Sequence, residues 1–129
     1  MKIIITESQL LNVIKESNSF DVINTLKKGQ SLFSKKKFKK GDKVGTLLST
    51  TPSKNGREVQ EGLYETNVIG RYINHSSKPN TEARKDGKEV VLYSIKDINE
   101  GDEILVDYST IEKMLGVLPG TYLEDDFKD

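Results

Sequence analysis

Glycine-bearing turns cut this chain into pieces too short for a helical domain. They fall at Gly29, at Lys39-Lys40-Gly41-Asp42, at Asn55-Gly56, at Asp86-Gly87 and at Asn99-Glu100-Gly101-Asp102. Glycine reaches the positive φ that tight turns need. Several segments between the turns are rich in Val, Ile, Leu, Phe and Tyr, a composition that fits strands. Strands are expected over residues 20–26, 32–33, 43–48 and 103–108, with a hairpin joining 81–84 to 89–95 around Asp86-Gly87. Residues 28–31 and 76–79 read as turns, and the polar stretch 49–61, which holds Pro52, as a loop or hairpin tip. Residues 62–73 carry Leu63, Tyr64, Val68, Ile69 and Tyr72 in no clean period. A helix is expected over residues 3–16, capped by Thr6 or Ser8, with Leu10, Leu11, Val13 and Ile14 on its apolar face. A second, short helix over 110–115 stops at Gly116. The pattern is that of a mainly β domain.

The length, 129 residues, fits one domain whose folding buries roughly two-thirds of the surface of the unfolded chain. No apolar run is long enough to cross a bilayer. The N-terminal MKIII lacks the apolar core and cleavage site of a secretory signal. An intracellular protein without membrane contact is expected. There is no cysteine and a single histidine, His75. Disulfides, thiolate catalysis, cysteine-zinc sites and multi-histidine metal sites are thereby excluded. A carboxylate-only Mg or Ca site stays open, but no Asp-rich loop with the needed spacing supports one, and no metal is expected. Lys+Arg and Asp+Glu each number 20, so the formal net charge is zero, which argues against a generic nucleic-acid binder. The basic run Lys35, Lys36, Lys37, Lys39 and Lys40 reads as a solvated turn face. The acidic tail over 124–129 suits attraction of a lysine-rich protein.

Three segments carry chemistry. Arg71-Tyr72-Ile73-Asn74-His75-Ser76-Ser77-Lys78-Pro79-Asn80 is the most specific. Asn99-Glu100-Gly101-Asp102-Glu103-Ile104-Leu105-Val106-Asp107-Tyr108 follows one hairpin later. Gly29-Gln30-Ser31-Leu32-Phe33, followed by Phe38-Lys39-Lys40-Gly41-Asp42-Lys43-Val44, is the weakest. In their order along the chain they resemble the signatures of the SET domain family, over residues 20–109. The resemblance implies a SET domain, a β-clip type fold of several small sheets, here with a short N-terminal helix and a short C-terminal segment. Residues 1–19 are then a helical extension, 20–109 the SET domain, and 110–129 a segment that closes the substrate channel. The chain is similar to the minimal, virus-type form, which has no cysteine-rich flanks. Closure then falls to the last twenty residues or to a second subunit of a homodimer.

The resemblance also implies a function: methylation of a lysine side chain in a protein substrate, with S-adenosylmethionine as cofactor. Tyr108 takes the position of the family's catalytic tyrosine and lies beside the transferred methyl. Asn74 meets the amino group of the cofactor, the His75 backbone its adenine, and Arg71 lines the pocket. Gln30, Ser31 and Leu32 cradle the cofactor through backbone groups. The sequence departs from the pattern at Ser31, where the family has a second glycine; a side chain there narrows the pocket if the backbone must approach the ligand. Tyr72, Tyr64 and Tyr122 are candidate walls of the lysine channel, since aromatic faces attract a cationic or methylated ammonium.

The chemistry suits this inventory. A lysine with pKa about 10.4 costs about 4.6 kcal/mol to hold neutral at pH 7. A desolvated channel beside a sulfonium lowers that pKa, and the rest of the work is alignment. Neither metal nor thiol is required. Plainer roles stand beside each assignment: an edge or core tyrosine at Tyr108 and Tyr64, a structural histidine at His75, a surface ion pair at Arg71, a simple turn at Gly29 to Ser31. Ser31 in place of glycine and the missing closing segments motivate an alternative function, a non-catalytic SET-like module that binds a protein.

Overall fold

A computed structural model describes residues 10–26, 29–54 and 56–116 of the chain. Its strands form three small sheets. The first is antiparallel and three-stranded: β1 (Leu10–Glu16), β2 (Phe20–Thr25) and β3 (Gly29–Ser34), in that order. Ser17 closes the β1–β2 turn. Its amide donates to the Phe20 carbonyl at 2.7 Å, and its hydroxyl accepts from the Phe20 amide at 3.0 Å.

This sheet corrects the expected N-terminal helix. Leu10–Glu16 is a strand running against β2, with irregular register between Leu10 and Asn12 and between Val13 and Lys15. The Leu10, Leu11, Val13, Ile14 spacing that suits a helix face belongs equally to a bulged strand, and pairing with β2 decides between them. Residues 3–9 of that expected helix lie outside the described residues.

The second sheet is five-stranded, in the order β5-β6-β4-β9-β8. It comprises β4 (Lys43–Ser49), β5 (Glu58–Gln60), β6 (Leu63–Glu65), β8 (Thr81–Asp86) and β9 (Glu89–Ser94). The β8–β9 hairpin turns after Asp86, which pairs with Glu89. Gly87 supplies the positive φ of 64° the turn demands. Within the stretch read as a loop, β5 forms because it has β6 to pair with. The unassigned stretch 62–73 divides into β6 and a single helical turn, α1 (Ile69–Tyr72). Gly70 lets α1 pack onto β4: a Cβ there would strike the Leu47 carbonyl.

The third sheet is a parallel pair of two-residue strands, β7 (Asn74–His75) and β10 (Leu105–Val106). After it the chain enters α2 (Tyr108–Leu115), capped by the Asp107 side chain, which accepts from the Ser109 amide, and ended by left-handed Gly116. The predicted helix is thus present, but the predicted strand 103–108 shrinks to two residues and Tyr108 opens the helix instead.

One core joins the sheets, with Val22, Leu32, Leu47, Leu48, Val90, Leu92, Ile104, Val106 and Ile111 fully enclosed. The basic run turns one residue into that core. Phe38 is buried, stacks on Phe20 at 6.1 Å and pairs through its backbone with Ile98, while Lys36, Lys37, Lys39 and Lys40 remain exposed. The fold is mainly β, as the turn pattern requires. Among the described residues, no helix is long and apolar enough to cross a membrane.

Candidate functional site

The two most specific sequence segments, remote along the chain, meet in the β7–β10 pair. Leu105 lies beside Asn74 and Val106 beside His75. A parallel pair of two residues is too short to hold itself, and side chains from the first segment complete it. Asn80 donates to the Glu103 carbonyl at 2.7 Å and accepts from the Leu105 amide at 2.9 Å. Thr81 donates to the Leu105 carbonyl at 2.7 Å. The Ser76 amide donates to the Val106 carbonyl at 3.0 Å.

Tyr108 is fixed at both ends. Its backbone N–H donates to Nδ1 of His75 at 3.0 Å, and its hydroxyl donates to the Ile73 carbonyl at 2.9 Å. The two rings lie 5.1 Å apart at 49°, and Tyr108 is only 1% exposed. Since Nδ1 accepts, the neutral His75 ring carries its proton on Nε2. The imidazole thus positions Tyr108 through a nitrogen already in use.

Asn74 joins the weak third segment to the other two. Its Nδ2 lies 2.9 Å from Ser31 Oγ, 3.0 Å from Glu103 Oε2 and 3.2 Å from the Gln30 carbonyl. A carbonyl oxygen can only accept, which fixes the amide orientation: nitrogen inward, Oδ1 turned away. Gln30 is exposed and Asn74 and Glu103 are half-buried, so the edge is open to solvent.

Ser31 does not require the freedom of the glycine it replaces. It sits inside β3 opposite Ile23, in strand geometry open to any residue. It is 1% exposed, with its hydroxyl taken up by Asn74. The reading of a turn is corrected for Gly29 to Ser31, which lie in β3; residue 28 lies outside the described residues. The backbone cradle expected at Gln30, Ser31 and Leu32 has two carbonyls already engaged, Gln30 by Asn74 and Leu32 by the Ile104 amide at 2.8 Å.

Arg71 lies in the last turn of α1, which packs on β3. Its guanidinium lies 4.8 Å over the Tyr72 ring and donates to the Tyr72 hydroxyl at 2.8 Å. Its partner is therefore the neighbouring phenol rather than the acidic residue of a surface ion pair. Tyr72 is buried. Tyr64 is half-buried on β6 and paired with Ser49 and Glu58 in the five-stranded sheet. Tyr122 lies outside the described residues. Sequence reasoning passed over Glu103, Asn80 and Asp107 as site residues. Asn80 closes the first segment and Asp107 precedes the tyrosine, so both were in view; nothing in the sequence pairs Glu103 with Asn74.

The model of the SET domain family matches residues 29–109. The chain belongs to the SET domain family. Among solved structures, the methyltransferase domain of the human histone-lysine N-methyltransferase SETMAR is 27% identical, with a TM-score of 0.51 over 70% of this chain and 44% of that one. This chain therefore spans less than half of that relative. A Plasmodium falciparum protein assigned to the histone methyltransferases is 20% identical, with a TM-score of 0.47 over 72% of this chain and 95% of that one. A humanized mutant of the Chaetomium thermophilum Polycomb Repressive Complex 2 is 21% identical, with a TM-score of 0.44 over 62% and 13%. No curated protein matches the chain.

Proposed function

We propose that this SET domain protein methylates lysine side chains of a protein substrate, with S-adenosylmethionine as methyl donor. One observation carries the proposal: the β7–β10 pair gathers Asn74, His75 and Tyr108 at one place, and Asn74 reaches on to β3. The likeness to SETMAR, a histone-lysine N-methyltransferase, supports it.

The residues present fit such a cofactor. Asn74 turns its amide oxygen away from its own three acceptors, on a solvent-accessible edge, and an amide oxygen suits an ammonium group. Bound there, S-adenosylmethionine supplies an electrophilic methyl on a sulfonium sulfur. The protein's part is to hold and orient. Tyr108, clamped between His75 Nδ1 and the Ile73 carbonyl, presents its hydroxyl oxygen at a fixed position and lines up the incoming amine. Buried Ile73, Val106 and Ile111 belong to the same apolar core as Tyr108, and apolar surroundings favour the neutral, nucleophilic form of a lysine. Tyr72, buried and polarised by Arg71, is the wall residue for the lysine stem. His75 serves as a positioning group and not as a base, its Nδ1 being engaged by the Tyr108 amide.

Incubation with labelled S-adenosylmethionine and a set of lysine-rich proteins tests the proposal. Label should pass to lysine, and Tyr108→Phe should lose most of it. Absence of transfer to every substrate, with no cofactor binding, refutes the proposal.

A further inference from the structure

We infer that Glu103 is a positioning and selectivity residue for the ammonium end of the cofactor, acting together with Ser31 on the Asn74 amide. The inference rests on the proposed function and concerns the same site.

Three acceptors surround Asn74 Nδ2, which has two hydrogens to give: Ser31 Oγ, Glu103 Oε2 and the Gln30 carbonyl. The Gln30 carbonyl and the Glu103 carboxylate only accept, so both favour nitrogen inward, while the Ser31 hydroxyl suits either orientation; the flipped amide would set its oxygen against two acceptors. Oδ1 is therefore held outward as an acceptor. Glu103 adds what an amide cannot. Its carboxylate is 3.0 Å from Nδ2, which brings an acidic group within one side chain of wherever Oδ1 receives a cation. Charge-assisted hydrogen bonds are roughly twice as strong as neutral ones.

Glu103 is itself held in place. Its carbonyl accepts from Asn80 at 2.7 Å, and its backbone bridges to Phe33 of β3. The carboxylate is therefore not on a free loop. Ser31 gains a purpose on this reading. Where the family pattern has glycine, this chain places a hydroxyl that shares the Asn74 amide with Glu103. The site should thus select ligands by their ammonium group.

The test compares S-adenosylhomocysteine with its desamino analogue, which keeps the carboxylate and lacks only the amine. Binding of each to the full chain is measured by calorimetry for wild type and Glu103→Gln, with thermal melts to verify folding. Gln keeps an oxygen that can accept from Asn74 and removes the charge. Wild type should prefer S-adenosylhomocysteine by about tenfold or more, and Glu103→Gln should bring that preference to within about threefold. A generally loosened site would weaken both ligands equally and leave the preference intact, which overturns the inference. An unchanged preference with unchanged affinities also overturns it. If wild type binds neither ligand, the proposed function itself has failed, a result distinct from the other two. Should Glu103→Gln not fold, Glu103→Asp withdraws the carboxylate by one methylene; a preference reduced more than about twofold supports the inference, and an unaltered one refutes it.

Discussion

Asn80→Ala removes a side chain that does two jobs on one strand. Its amide nitrogen satisfies the Glu103 carbonyl and its amide oxygen satisfies the Leu105 N–H, while Asn80 is 8% exposed. Alanine reaches neither. Each lost bond is worth about 1 kcal/mol net, and each backbone group stranded away from water about 1–3 kcal/mol. Part of the strand can rehydrate, since Glu103 and Leu105 are half-buried, so the expected cost is about 2–4 kcal/mol. For a domain of this size that lowers the melting temperature by about 8–16 °C. Urea denaturation gives the free energy, and hydrogen exchange locates it. The Leu105 amide should lose protection in step with the fall in stability, because Asn80 is what holds its proton. A loss below about 1 kcal/mol, or a Leu105 amide as protected as in the wild type, would refute the claim that side chains complete the β7–β10 pair.

Two further outcomes follow from the same geometry. Tyr108→Phe strands the Ile73 carbonyl by removing its 2.9 Å donor, so stability should fall by about 1–2 kcal/mol while methyl transfer falls by a much larger factor; a proportionate loss of both would make Tyr108 merely structural. Gly70→Ala drives a Cβ into the fixed Leu47 carbonyl, with Glu65 Cα and Thr66 Oγ1 at 3.0 Å, and should cost about 1–3 kcal/mol or more. Gly45→Ala meets only the movable end of the Ile69 side chain and should cost less, as comparative urea denaturation would show.

The mainly β character was legible because turn residues punctuate the chain and Gly87 and Gly116 do what their positions require. The N-terminal strand was not legible. Its apolar spacing suits a helix face and a bulged strand alike, and pairing with β2 lies outside any local window. Tyr108 was identified by its place in a segment, but its setting was not. The expected strand gives way to a helix start because Asp107 caps the turn and His75 accepts the Tyr108 amide. The glycine's backbone freedom is not needed at Ser31: in β3 the residue is extended and its hydroxyl has a partner. The triple contact of Asn74 was hidden for a simpler reason: Ser31, Asn74 and Glu103 lie on three separate strands or bridges, and only the folded chain brings them together.

The central claim is that Asn74, held by Ser31 and Glu103 next to Tyr108, forms a cofactor site. Titration of S-adenosylhomocysteine followed by NMR tests it most directly, through the Asn74 side-chain amide and the Tyr108 backbone amide. The account predicts saturable shifts of both signals at the same ligand concentration, and loss of the Tyr108 shift in Asn74→Ala. Unmoved signals under saturating ligand, or undiminished binding by Asn74→Ala, would contradict it.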